Sequence, residues 1–169
     1  MKRKYLILFS LMGLILSLDQ WTKHLVQGGV APGSRTPLLP GLLSLVHVHN
    51  SGVAFGFLRR VPIPFEDVFF VGIPVFALVL ILLIFIKLQD NQVPTSVALT
   101  TILGGAMGNL IDRIRQGYVT DFLDLHFGEA FHFPPFNVAD CSIIMGVVIM
   151  FIVTLIHQRS GQVPTPQEG

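Results

Sequence analysis

The sequence predicts a membrane all-α bundle of four transmembrane helices carrying a small extracytoplasmic β-platform. Three observations lead there. The mean hydropathy is +0.68, and only 12% of the 169 residues are charged, against about 25% in water-soluble chains. Four apolar stretches are separated by polar segments, and the first long polar segment alternates apolar and polar residues.

The first stretch runs from Tyr5 to Leu18 and continues, with polar interruptions, to about Val26. The second, Val68 to Ile86, holds no charge; the third runs from Val93 to Ile111 and the fourth from Cys141 to Ile156. A span needs about 20 residues to cross about 30 Å of hydrocarbon. The second suffices by itself, and the others reach that length with polar-ended flanks. Helices are therefore expected over about 5–26, 66–88, 93–112 and 139–157, with outer loops over about 27–65 and 113–138, all within one membrane domain spanning 1–169. Lys2-Arg3-Lys4 before an apolar run is also how a cleavable leader begins. Here Asp19-Gln20-Trp21 stands where a small-x-small cleavage site would have to be.

The same basic start places the amino terminus in the cytoplasm under the positive-inside rule. Arg35, Arg59, Arg60, Arg113 and Arg115 fall in or beside the outer segments and weaken the charge bias, so the dense first cluster carries the orientation. Both termini are then cytoplasmic. Val46 and Val48 alternate with His47 and His49, and Val53, Phe55 and Phe57 with Ala54 and Gly56. Around Asn50-Ser51-Gly52 this reads as two short strands joined by a turn, with large apolar side chains resting on the outer membrane surface. A net charge of +1 and the absence of a long basic run offer nothing to nucleic acid. The single cysteine, Cys141, excludes an intramolecular disulfide.

Ionisable residues at membrane depth are costly and seldom idle. At about 1.5 Å per residue from Tyr5, Asp19 lies roughly 21 Å in, towards the outer face. Asn109 and Asp112 sit at a similar depth near the outer end of the third helix; Asp140 opens the fourth, and Asp121 lies in the loop between them. All gather at one face. Each also has a structural reading. Asp19 and Lys23 are spaced as an ion pair on one helix face. Asn109, Asp112 and Arg113 could anchor a helix end. Asn137 and Asp140 have capping-box spacing, and Gly104 and Gly108 form a small-xxx-small contact. His47 and His49 lack the H-E-x-x-H context of a zinc site, so no metal is expected. His126 and His132 read as solvated loop residues, Cys141 as a packed residue, and Ser51 has no G-x-S-x-G setting.

Five segments decide between these readings. Asp19-Gln20-Trp21-Thr22-Lys23 resembles the D-Q-x-S/T-K motif of the lipoprotein signal peptidases, or signal peptidase II. Asn50-Ser51-Gly52-Val53-Ala54-Phe55 resembles their N-S/T-G-x-A-F segment, and the run from Gly104 to Arg113 resembles their G-G-x-x-G-N-x-x-D-R block. Val119-Thr120-Asp121-Phe122 and Phe136-Asn137-Val138-Ala139-Asp140 match V-x-D-F and F-N-x-A-D. All occur in the family's order from Asp19 to Asp140.

The resemblance implies an intramembrane aspartic endopeptidase of the bacterial cytoplasmic (inner) membrane, active on its extracytoplasmic side. It would remove signal peptides from diacylglyceryl-modified prolipoproteins, cutting before the lipid-modified cysteine. Asp121 and Asp140 are implied as the catalytic pair. Asn50, Gly52, Asn109, Arg113 and Asn137 are implied to line or brace the site, and Asp19, Lys23 and Asp112 to support it structurally. No cofactor is implied; the partners would be substrate and membrane lipid, with the enzyme a monomer. Two carboxylates sharing a proton suit amide hydrolysis, one activating water and the other donating to the carbonyl oxygen. A transporter would need ionisable groups along a path, which the inner halves of the four stretches lack, and a pure scaffold would leave Asp121 and Asp140 without a role.

Overall fold

A computed structural model describes residues 2–52, 66–128 and 131–160. Within them the order is α1 (Arg3–Gly29), β1 (Arg35–Leu39), β2 (Leu43–Asn50), α2 (Glu66–Lys87), α3 (Val93–Gln116), β3 (Val119–Phe127), β4 (Phe131–His132) and α4 (Val138–Ser160). Among the described residues three segments are long and apolar enough to cross a membrane: Arg3–Gly29, Phe70–Lys87 and Val138–Gln158. Their exposed leucines, isoleucines and phenylalanines need an apolar solvent.

α3 is less apolar because it is the central helix. It packs against α1, α2 and α4 and buries Ser96, Thr100, Thr101, Asn109 and Asp112 among them. Small residues bring the backbones close. Gly104 rests on the Ile15 side chain and Gly108 on the Asp19 carboxylate, both of α1, whereas Gly105 lies against the Ala139 carbonyl of α4. From the other side, Gly146 of α4 meets Ala98 and Ile102 of α3. α3 also runs past Asp112 to Gln116 and ends on Gly117, whose φ of 79° is the left-handed cap that glycine adopts without strain.

One of the basic residues counted for orientation is not a free charge. Lys4 is buried, and its Nζ donates to the Ile86 and Leu88 carbonyls at 2.7 and 2.6 Å. It thus caps the end of α2, where unpaired carbonyls favour a cation.

The strands form one antiparallel sheet in the order β1-β2-β3-β4. β2 covers the expected strand around Val46 to His49, but its partners are β1 and β3. The companion strand expected over 53–57 lies outside the described residues. The segment around Asp121 is a strand rather than the expected loop. Its period-two signal was present in Leu123, Leu125 and Phe127 against Asp124 and His126. Here the polar members face inward, since Asp124 and His126 are buried while Phe127 is exposed. The expected solvated His126 is instead a packed strand residue, hydrogen-bonded to Ser44 Oγ at 3.0 Å.

Candidate active site

The site forms where β3 meets the start of α4. Phe136, just before α4, exchanges backbone hydrogen bonds with Leu123, and Phe122 N also donates to Phe136 O. That stitch lays the Asp121 strand beside the first turn of α4, which carries Asp140. Asn137 and Asp140 cap each other: Asp140 N donates to Asn137 Oδ1 at 2.9 Å, and Asn137 N to Asp140 Oδ2 at 3.2 Å. The capping-box spacing is therefore used.

Asn137 serves both carboxylates at once. Its Nδ2 donates to Asp121 Oδ1 at 2.7 Å and to Asn109 Oδ1 at 3.2 Å. Asn50, at the end of β2, donates from Nδ2 to Asp121 Oδ2 at 2.8 Å. Asn109, on α3, donates from Nδ2 to Asp140 Oδ1 at 2.7 Å. Four elements thus converge on two carboxylates, each receiving amide protons.

The carboxylates sit in different settings. Asp121 is buried on a strand, 2% exposed. Burial, with a further contribution from the Asp140 charge, pushes its pKa up to about 6 despite the hydrogen bonds from Asn50 and Asn137. Asp140 is half-buried at a helix start, where its Oδ2 accepts from the Asn137 N–H at 3.2 Å.

Below the pair lies a buried charge brace. Lys23 Nζ reaches Asp19 Oδ2 and Asp112 Oδ2, both at 2.8 Å, and donates to Asn109 Oδ1 at 2.9 Å. The expected Asp19–Lys23 pair is present, and the same lysine also orients Asn109. With its oxygen taken by Lys23, the Asn109 amide must present its NH₂ to Asp140. Asp19 Oδ1 accepts from Ala139 N at 2.9 Å, tying α1 to the start of α4. Gln20 Nε2 donates to Asp112 Oδ1 at 2.9 Å.

Two predicted site residues behave differently. Gly52 has a φ of 78° and its N–H donates to Asn50 Oδ1 at 2.9 Å, which turns the Asn50 NH₂ towards Asp121. A side chain at Gly52 would overlap the Phe70 ring. Arg113 makes no hydrogen bond or ion pair with Asp121 or Asp140 among the described residues, and its buried Nε has no hydrogen-bond partner there. It lies in the last turn of α3, where its carbonyl accepts from the capping Gly117 N–H.

Other polar side chains could not be placed from the sequence. Asp124 is buried in an ion pair with Arg35, with His132 Nδ1 at 3.4 Å. His49 stacks on Tyr118 with centroids 3.9 Å apart and meets His47 Nε2 at 3.2 Å. Among the described residues no group of three or more His, Cys, Asp or Glu is placed to hold a metal.

Comparison with known proteins gives this geometry a context. The family model described as signal peptidase (SPase) II matches residues 11–156. The lipoprotein signal peptidase of Syntrophus aciditrophicus is 39% identical over 158 residues, covering 93% of this chain and 98% of that protein. That of Enterococcus faecalis is 36% identical over 162 residues, covering 96% of each. A solved structure titled "Bacterial membrane enzyme structure by the in meso method at 1.9 A resolution" superposes with a TM-score of 0.75 at 31% identity. It covers 90% of this chain and 92% of that one.

Proposed function

The chain belongs to the signal peptidase II family and is a protease, and from that premise we propose the following reading of its chemistry. It removes signal peptides from bacterial prolipoproteins whose cysteine carries a diacylglyceryl group, cutting just before that cysteine. Asp121 and Asp140 are the catalytic pair. The observation that carries this is the shared Asn137, which hydrogen-bonds Asp121 with its side chain and Asp140 with its backbone and side-chain oxygen.

The two settings divide the roles. Asp121, buried and raised to about 6, holds the shared proton. Asp140, at a helix start and receiving N–H donors from Asn109 and Asn137, holds the charge. The Asp140 carboxylate takes a proton from the attacking water, while Asp121 donates its proton to the scissile carbonyl oxygen. The tetrahedral intermediate then collapses as a proton passes to the leaving amine. The amides of Asn50, Asn109 and Asn137 keep both carboxyls in register and cost no reorganisation during the reaction. No step calls for a metal or an organic cofactor.

Four spans are proposed, α3 crossing as the central helix, with both termini in the cytoplasm and the sheet and catalytic pair on the extracytoplasmic side. The enzyme acts as a monomer. Substrate acyl chains then stay in hydrocarbon while the scissile bond meets the pair at the interface. The test uses purified enzyme with a diacylglyceryl-modified prolipoprotein. Asp121→Asn and Asp140→Asn should each lower kcat by at least about 100-fold, the lower range for general acid–base groups, with thermal unfolding near that of the parent. Either variant cleaving at the parental rate would remove that residue from the chemistry.

A further inference from the structure

A second polar site lies beside the charge brace. A cleft of about 310 Å³ opens between α1 and the end of α3, lined by Gln20, Lys23, His24, Gln27, Asp112, Arg115 and Gln116. No apolar residue lines it, although both helices lie in what reads as membrane. On α1, Gln20, Lys23, His24 and Gln27 follow the three- and four-residue spacing of one helix face. That face lies between the buried Asp19 and Val26 and the exposed Leu18, Trp21 and Leu25. The cleft therefore borders the lipid-facing surface on one side and the brace on the other.

Its charges are unevenly satisfied. Asp112 is consumed inward, by Lys23 Nζ at 2.8 Å and Gln20 Nε2 at 2.9 Å. Gln27 and Gln116 hydrogen-bond each other at 3.1 Å, and both reach Thr120 Oγ1, which closes the end towards the sheet. Arg115 and His24 are exposed, and neither side chain has an ion-pair or hydrogen-bond partner among the described residues. An arginine is permanently charged and its planar fork fits phosphate oxygens. A cationic cleft at the end of membrane helices, bordered by exposed apolar side chains and closed towards the sheet, suits an anion that arrives with acyl chains attached.

We propose that this cleft binds the phosphodiester headgroup of a membrane phospholipid in the leaflet faced by the catalytic pair. Arg115 and His24 meet the phosphate, and Gln20 and Gln27 flank it. The acyl chains lie along Trp21, Leu25 and Leu18. The inference rests on α1 and α3 lying in the bilayer and not on the assignment of Asp121 and Asp140.

Trp21 is the sole tryptophan and flanks the cleft, so it reports binding directly and without reference to catalysis. Full-length protein in a non-ionic detergent is titrated with dihexanoyl phosphatidylglycerol, with phosphate-free dihexanoylglycerol, and with inorganic phosphate, following Trp21 emission. The phospholipid should produce a saturable change. The Arg115→Gln, His24→Gln double variant should weaken it about tenfold or more, as expected for losing charge-assisted hydrogen bonds. Arg115→Lys, which keeps the charge but not the planar fork, should bind between the parent and the double variant and guards against a folding artefact. The proposal is overturned if the double variant binds like the parent, or if dihexanoylglycerol saturates equally. Saturation by inorganic phosphate alone would give the site to a free anion and overturn the lipid assignment.

Discussion

Asp121 and Asp140 are chemically the same side chain, and their surroundings make them different. Asp121 sits on a strand among packed neighbours that bury its carboxyl, whereas Asp140 sits at a helix start and accepts from the Asn137 N–H. The pH dependence follows in sign. The fold keeps the Asp121 proton from the ordinary carboxylate range up to about pH 6, so the acid form persists through that interval and is lost as pH rises past about 6. The same linkage makes the associated stabilisation of the fold an acid-side contribution that disappears over the same interval. In a pH profile, kcat/KM should decline above about pH 6, approaching about tenfold per unit, the limit for losing one essential proton. The limit belongs to the coupled pair. A profile flat from pH 5 to pH 9, roughly two units either side of neutrality, would contradict the proton assignment.

At the scale of elements, alignment of the proposed catalytic pair depends on how closely α3 and α4 approach. Asn109 on α3 must reach Asp140 on α4 at 2.7 Å, and Gly105, one helical turn away, lies directly against the Ala139 carbonyl. A methyl there has a rigid backbone atom in its way. At Gly104 the atoms nearest an added Cβ belong to the Ile15 side chain, 3.1 Å away, so a shift of a few tenths of an ångström suffices. Gly105→Ala should therefore cost about 1–3 kcal/mol, as overpacking does, and reduce kcat further by lengthening the Asn109–Asp140 bond. Gly104→Ala should be milder in both. Thermal unfolding and kcat measured side by side decide it; equal effects would mean that helix spacing does not control the site. The brace beneath has the same logic, since Lys23 holds α1 and α3 together and sets the Asn109 amide by one buried ammonium.

At the scale of the whole molecule, the proposed arrangement places the turn between α2 and α3 in the cytoplasm and β1 outside. With Cys141 replaced by alanine, Thr36→Cys should react with a membrane-impermeant maleimide on intact spheroplasts. Asn91→Cys should react only after permeabilisation. Labelling of both from outside would refute the span count, and the reverse pattern would refute the orientation. Membrane residence and the protease family were legible in the chain alone, because hydropathy belongs to a single stretch and five short motifs each keep their chemistry in consecutive residues. The apolar character of three helices could be read in the same way. What remote parts of the chain do to each other could not. The Asp121 strand, the buried Asp124–Arg35 pair, the packed His126 and the capping Lys4 depend on neighbours up to 89 positions away. A polar residue in a sequence reads as exposed unless its partner is known. The sequence thus determined the solvent and the kind of chemistry. Only the tertiary structure decided which polar groups face each other, because a buried charge is tolerable solely where another element brings the group that satisfies it.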